Sequence, residues 1–531
     1  MLILYNCLIH TLNPQKQTAT AIALEQRPDH SGRILATGDF ETLKQEFPNA
    51  KHENLESRVV LPGLTDAHLH LRQYAMLLTA LDCRTPTRRD CIERVAERAR
   101  QMPAGEWILG HGWQQNDWPE GFGTAAQLDT AAPRNPVFLT AASLHAAWLN
   151  SAALKAAGID SQTIDPLNGR IERKPDGTPT GILFEAAISL AIKEIPDPTP
   201  EEDVRAIQNA QTKLWSYGLT GVHDFDRANC FQALQRLRER NGLKLRVVKS
   251  IPVEDLKHAL ALGLRSGFGD DMLRIGGVKV FADGALGPRT AAMFEPYEGE
   301  PQNRGMLFAD SEQLLEWGQQ AAYGGLSITV HAIGDRANHE VLNAFEQLRK
   351  FEEANQLPAR RHRIEHVQVL HPDDIRRLSS LAIIASMQPI HATSDMEAAD
   401  KYWSDRSRYV YGWKTQLEAG AVLAFGSDAP VESPNPWLGI HAAVTRRRAD
   451  GSPGEEGWIP EQRLSLEEAL AGFTRGAAYA ANMETRIGCL APGYLTDLVV
   501  LDQDPFAIAP RDLQHIQPMA TMVGGEWVWG A

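Results

Sequence analysis

The sequence predicts an α/β chain with three parts: a (β/α)8 TIM-type barrel, a small β-sandwich formed by both termini, and a large insertion after the first barrel strand. Three observations predict it. Eight short apolar runs ending in polar residues alternate with helical patterns, the signature of βα units feeding a parallel sheet. β-type runs stand at both ends of the chain. The first two barrel runs are separated by residues 71–217, far more than a normal connection needs.

The terminal runs are Leu2-Ile3-Leu4, Thr18 to Leu24 and Arg33 to Gly38 at the start. Asp497-Leu498-Val499-Val500-Leu501-Asp502 and Ala520 to Trp529 answer them at the other end, the last as a hairpin around Gly524-Gly525. Two glycines tolerate the left-handed backbone that a tight hairpin turn requires. One sandwich over 1–60 and 485–531 accounts for both ends. Barrel strands are expected at Gly63 to His70, Gly218 to Asp224, Leu245 to Ile251, Leu273 to Phe281, Leu326 to His331, His362 to His366, Leu381 to Gln388 and Ala421 to Asp428. Helices such as Glu201 to Trp215, Ser311 to Ala322 and Arg336 to Lys350 fit the gaps. The barrel takes 61–71 and 200–484, and eight is the number of strands that closes it. The insertion takes 72–199 and gathers Trp107, Trp113, Trp118 and Trp148. Tethered directly after His70, it is expected to cover the active site.

Composition narrows the function. With 53 basic against 67 acidic side chains the 531-residue chain carries a formal charge of −14, which argues against nucleic-acid binding, since that rests on a dense basic surface. The one basic run, Arg446-Arg447-Arg448, reads as a solvated helix face. Cys7, Cys83, Cys91, Cys230 and Cys489 are scattered and include no C-x-x-C pair, so free thiols in a reducing compartment are expected. No signal-like N-terminus and no membrane-length apolar stretch occurs. The expectation is a cytoplasmic protein with a small-molecule substrate, no nucleic acid, no membrane, and a homodimer as the candidate assembly.

In Asp66-Ala67-His68-Leu69-His70 the two imidazoles lie two apart on a strand, so they face one side and can share one metal. The pair is weak alone, but it ends the first barrel strand, where barrel active sites form. Further strands end in Lys279, His331, His366 and Asp428. Each has a structural alternative: a hydrogen-bonded histidine, half of a buried ion pair, a helix cap. Their convergence on one mouth points to a metal centre. His391, in Met387-Gln388-Pro389-Ile390-His391, is expected to end the seventh strand and either donates to a substrate carbonyl or its oxyanion, or simply packs. Arg289 either orients a polar substrate group or forms a surface salt bridge. In the insertion, His111-Gly112-Trp113-Gln114-Gln115-Asn116 and Ser143-Leu144-His145-Ala146-Ala147-Trp148 combine aromatics with polar tips, so His111, Trp113 and His145 are candidate substrate contacts or subdomain core.

With these motifs the chain resembles the metal-dependent amidohydrolase superfamily, in its YtcJ-like, amidohydrolase-3-type branch, which includes N-substituted formamide deformylases. Val60 to His70, Val280-Phe281-Ala282-Asp283-Gly284-Ala285-Leu286-Gly287, His331-Ala332-Ile333-Gly334-Asp335, Arg363-Ile364-Glu365-His366 and Gly426-Ser427-Asp428-Ala429-Pro430 carry the resemblance. It implies that His68, His70 and Asp428 hold one metal and His331 and His366 a second, with a carboxylated Lys279 between them; were Lys279 an unmodified amine, Asp283 would be the better bridging candidate. Asp428 would also serve as general base and acid, with His391 as the second catalytic residue. The expected cofactor is a divalent metal, zinc first, one or two per chain; these ligands also accept Mn, Fe or Co. The function that follows is hydrolysis of a C–N bond, amide, N-acyl or N-formyl, by a metal-activated water. A one-metal deaminase of the same fold and a non-catalytic interaction module remain alternatives, and Lys279 favours the hydrolase over the deaminase.

Overall fold

The computed structural model describes residues 1–114, 118–143, 145–167 and 169–530. Eight strands form one parallel sheet in chain order: β1 (Leu64–Leu69), β2 (Leu219–Asp224), β3 (Arg246–Pro252), β4 (Leu273–Phe281), β5 (Ile328–Ala332), β6 (Arg363–His366), β7 (Ile384–Met387) and β8 (Leu423–Phe425). Helices Pro200–Trp215, Ser311–Gly324 and Asp335–Ala354 occupy three of the connections. The second of these shows why a helix starts and stops where it does: Asp310 accepts from Gln313 N at 2.9 Å, and Gly325 ends it at φ +82°.

The sheet closes where β1 meets the segment after β8. Asp428 N donates to His68 O at 2.7 Å and His70 N to Ala429 O at 2.8 Å. Between them lies the buried Asp66, whose Oδ1 accepts from His68 N at 3.0 Å and Ser427 N at 3.1 Å, and whose Oδ2 accepts from Ser427 Oγ at 2.5 Å. Gly426 is glycine because the strands approach too closely for a side chain: a Cβ there would lie 2.4 Å from His68 N and 2.6 Å from Asp66 Oδ1.

The terminal sandwich takes the form of one hydrogen-bonded sheet of seven strands, ordered Glu526–Trp529, Pro518–Val523, Leu498–Leu501, Lys51–Pro62, Leu2–Asn13, Lys16–Leu24, Ile34–Gly38. One face packs a core of Leu4, Ile9, Ile22, Val60, Val500 and Met522, while helix Phe40–Glu46 sets Leu43 against the other. The Gly524-Gly525 hairpin is present, with φ +56° and +89°, as a two-residue turn of this hand requires. Arg246, at the start of β3, pairs with Asp497 beside this sheet through Nε at 2.5 Å and Nη2 at 2.7 Å, a buried bidentate ion pair.

The chain forms two compact units, Met1–Tyr74 with Ile207–Ala531, and Ala75–Ala206. The second has its own mixed sheet of six strands, in the order Gly169–Arg173, Pro179–Glu185, Ala146–Leu149, Val137–Ala141, Ile108–Trp113, Leu81–Asp82. All five cysteines are free and buried. Among the described residues no helix is long and apolar enough to cross a membrane.

The arginine run departs from the expected solvated face. Arg446 is fully buried, its guanidinium 4.3 Å from the Trp413 ring centroid and 4.9 Å from that of Trp458, with Nε donating to Trp458 O. Stacking between aromatic faces stabilises the buried cation.

Because Gly426 sits in the closing seam, Gly426→Ala is expected to lower stability by about 1–3 kcal/mol, the usual cost of overpacking. Chemical denaturation of the two proteins measures it, and an unchanged midpoint would mean that the seam yields freely.

Candidate metal centre

At the C-terminal mouth of the barrel, His68 Nε2 lies 3.2 Å and His70 Nε2 3.4 Å from the same oxygen, Oδ1 of Asp428. β1 delivers the two imidazoles and the turn after β8 delivers the carboxylate. The backbone around this group adopts conformations that side chains rarely take: φ is +60° at Asp428 and +75° and +47° at His366 and Val367. Such strain costs about 1–3 kcal/mol per residue and clusters at functional sites.

Each imidazole of the H-x-H pair has a carboxylate on its other nitrogen. His68 Nδ1 is 2.6 Å from Glu365 Oε2, and His70 Nδ1 is 3.4 Å from Asp226 Oδ1. His366 sits with its ring centroid 5.0 Å from that of His68, 4.5 Å from that of His331 and 6.0 Å from that of His391. His331 Nε2 donates to Gly284 O at 3.0 Å. Lys279 Nζ lies 4.8 Å from the ring of Phe225, which stacks on His68 at 4.2 Å, and 4.7 Å from that of Phe281, which is 5.0 Å from His331. The structure therefore brings all six expected ligands and His391 to one mouth.

Electrostatics favour ligand forms. Burial opposes ionisation of Asp428, but His68 and His70 more than offset it and hold the carboxyl well below its usual range. Burial, with Lys279 adding to it, pushes His331 down to about 3, and burial with His331 holds His366 well below its ordinary value. Both imidazoles are thus neutral, as a metal requires. Burial would lower His70, yet Asp226 and Asp428 raise it to about 9, a proton that a metal would displace. Burial pushes the Lys279 amine down to about 8, and no carboxylate lies within ion-pair distance of it among the described residues. Burial also works against charge on Glu365, but Arg363 and then His68 hold it far below the usual carboxylate range.

The donor set fits a divalent cation. Imidazoles and a carboxylate converge, His331 and His366 already without a proton to displace, and His366 Nδ1 is buried with no hydrogen-bond partner among the described residues. A second cluster, Asp224, Asp226 and Cys230, also has closely spaced donors. It is already occupied by protein groups: Lys249 Nζ lies 3.0 Å from Asp224 Oδ2, Leu71 N donates to Asp224 Oδ1 at 2.8 Å, and Asp226 caps the helix starting at Leu71.

The other candidates have the following surroundings. The two oxygens of Asp283 accept from Ile333 N, Gly334 N and Ala292 N at 2.8–3.0 Å, tying the β4 end to the β5 end. His391 does not end β7 but lies in the first turn of helix Pro389–Trp403, since Pro389 has the φ of a first helical residue; its Nε2 is 3.8 Å from Asp428 Oδ2. Arg289 pairs with Glu300 Oε1 at 2.6 Å and lies over Tyr402. Trp113 belongs to the core of the inserted unit, 1% exposed, stacked on Trp118, with Nε1 donating to Leu139 O. His111 Nδ1 meets Thr140 Oγ1 at 2.9 Å, and the exposed His145 pairs with Glu185 at 3.0 Å. Gln115, Asn116 and Leu144 of the quoted motifs lie outside the described residues. Asp66, Arg363 and Glu365 stand in the quoted motifs with no role read from them there, and Asp226 stands in none. The signal was there in β6, where two charged residues alternate inward on a strand that a barrel normally fills with apolar side chains.

The family model described as the amidohydrolase family matches residues 51–529. The chain belongs to that family. It is 34% identical to the putative amidohydrolase YtcJ of Bacillus subtilis, covering 98% of each chain. It is 28% identical to the N-substituted formamide deformylase of Arthrobacter pascens, over 99% of this chain and 97% of that one. Among solved structures, an uncharacterized metal-dependent hydrolase from Pyrococcus furiosus aligns with a TM-score of 0.78 and 29% identity, covering 95% of this chain and 99% of that chain.

In this amidohydrolase the two histidines of β1 differ in what their loss leaves behind. His70→Ala is expected to lower metal content with little change in melting temperature. His68→Ala is expected to lower metal content and also to destabilise by about 1–3 kcal/mol, because it strips a buried carboxylate of a partner. Elemental analysis and thermal denaturation of both variants check this; full metal occupancy in His70→Ala would remove His70 from the centre.

Proposed function

We propose that the chain hydrolyses a C–N bond in a small amide, N-acyl or N-formyl compound by means of an activated water. The observation that carries the reading is the convergence of two imidazole Nε2 atoms on one oxygen of Asp428, at 3.2 and 3.4 Å. The names of a formamide deformylase and a metal-dependent hydrolase among the relatives support it. A divalent metal, zinc as first choice, at His68, His70 and Asp428, and a second at His331 and His366 joined through a carboxylated Lys279, would polarise the substrate carbonyl and lower the pKa of a water toward neutrality.

The chain's own residues supply the rest. Two imidazoles at one oxygen hold Asp428 ionised, so its carboxylate can accept the proton of the attacking water and return it to the leaving nitrogen. His391 Nε2 is buried, has no hydrogen-bond partner among the described residues, and lies 3.8 Å from Asp428 Oδ2. The free ring nitrogen beside Asp428 supports a role as donor to the oxygen on which charge develops. Phe225, buried and stacked on His68, gives the centre an apolar wall on one side. The buried amine of Lys279 lacks the carboxylate that Lys249 has in Asp224, which supports its modification to a carbamate.

The test is a panel assay on chelator-stripped and zinc-reconstituted protein. Release of amine and acid from N-formyl or N-acyl amides, abolished by stripping and restored by zinc, is the expected result. Ammonia release from aminated heterocycles without amide turnover would favour the deaminase instead. No turnover of either class by zinc-loaded protein would contradict both.

A further inference from the structure

β6 places two charged residues, Arg363 and Glu365, inside the barrel beneath the mouth, where both are buried. The guanidinium of Arg363 is held on several sides: Nη2 donates to Ala67 O at 2.7 Å and to Ser386 Oγ at 2.6 Å, and Nη1 meets His223 Nδ1 at 2.9 Å. Its remaining edge grips Glu365, with Nη2 3.0 Å from Oε2 and Nε 2.5 Å from Oε1. Glu365 in turn meets His68 Nδ1 at 2.6 Å. A rigid cation therefore fixes a carboxylate, and the carboxylate fixes one nitrogen of a histidine whose other nitrogen faces Asp428 at 3.2 Å.

We propose that Glu365 is a positioning residue for the metal centre: clamped by Arg363, it holds the proton of His68 on Nδ1 and so presents Nε2 as the lone-pair donor toward Asp428. A carboxylate only accepts hydrogen bonds, which makes this tautomer the one it selects. A carboxylate behind a ligand histidine also orients the ring and raises its basicity. The asymmetry between the two histidines follows from the same geometry. His70 has its carboxylate, Asp226, at 3.4 Å, and that carboxylate is shared with the helix start at Arg72 and Gln73. His68 is thus the anchored ligand and His70 the adjustable one.

The proposal rests on the metal-centre reading but not on any substrate, and its test reads metal binding directly. Glu365→Gln keeps the size of the side chain. Arg363 remains beside it, and an amide nitrogen turned toward His68 would donate, moving the imidazole proton onto Nε2. Zinc affinity is measured by chelator competition on stripped wild-type protein, Glu365→Gln, Glu365→Asp and Ser386→Ala, with melting temperatures alongside. Ser386→Ala removes one contact of Arg363 and leaves the Glu365–His68 contact intact, so it reports the effect of stability alone. The expected result is a loss of zinc affinity of about 10–100-fold in Glu365→Gln, a smaller loss in Glu365→Asp, and wild-type affinity in Ser386→Ala. Equal affinity in Glu365→Gln and wild type, or a matching loss in Ser386→Ala, would overturn the positioning role. Absence of zinc binding in the wild type would instead overturn the metal-centre reading itself. If Glu365→Gln does not fold, Glu365→Asp decides, with wild-type affinity counting against the proposal.

Discussion

The centre depends on the seam that closes the barrel. His68 and Asp428 are far apart in the chain, and what brings them within 3.2 Å is one buried carboxylate, Asp66, that takes the N–H of His68 and the N–H of Ser427 on a single oxygen. A fully apolar residue at 66 would leave both donors unpaired in the interior, and unpaired buried donors are costly. Gly426 completes the seam by its lack of a side chain, and the left-handed turn at Asp428 aims its carboxyl back over β1. Fold closure and ligand geometry are therefore one event: the bonds that finish the barrel are those that assemble the donors.

Beneath the mouth the barrel interior is polar where such barrels are usually filled by branched apolar side chains. Arg363, Glu365, His223 and Ser386 form one network, and Lys249 with Asp224 forms a neighbouring pair. Buried charges are tolerated only when fully paired, and breaking one pair exposes the cost of the other member, about 3–5 kcal/mol. The network therefore contributes rigidity more than net stability, and rigidity is what a multi-ligand cation site demands of its supporting shell.

The barrel was legible because each strand is a short buried apolar run and each mouth residue is polar. Leu273–Phe281 has the expected bounds, while β7 and β8 are shorter than their apolar runs. Ala382 at φ +51° and Asp428 at φ +60° turn the chain out of the extended region, and a hydrophobicity pattern carries no record of φ. Lys51–Pro62 was hidden for another reason: its first half, Lys51 to Ser57, is mostly exposed and polar, and it is a strand because Leu2–Asn13 and Leu498–Leu501 pair with it on either side. Candidate ligands were visible as residue types at strand ends. Their partners were not, because Asp66, Asp226 and Glu365 act through contacts across the barrel that sequence distance conceals. The aromatic motifs of the insertion allowed two readings, substrate contact or subdomain core, and Trp113 has the burial of a core residue.

Anomalous diffraction at the zinc edge from zinc-loaded crystals is the direct measurement of the proposed divalent cation between His68, His70 and Asp428. A peak is expected within about 2.0–2.2 Å of His68 Nε2, His70 Nε2 and an oxygen of Asp428. A peak at Asp224, Asp226 and Cys230 instead, or none at the barrel mouth, would contradict it.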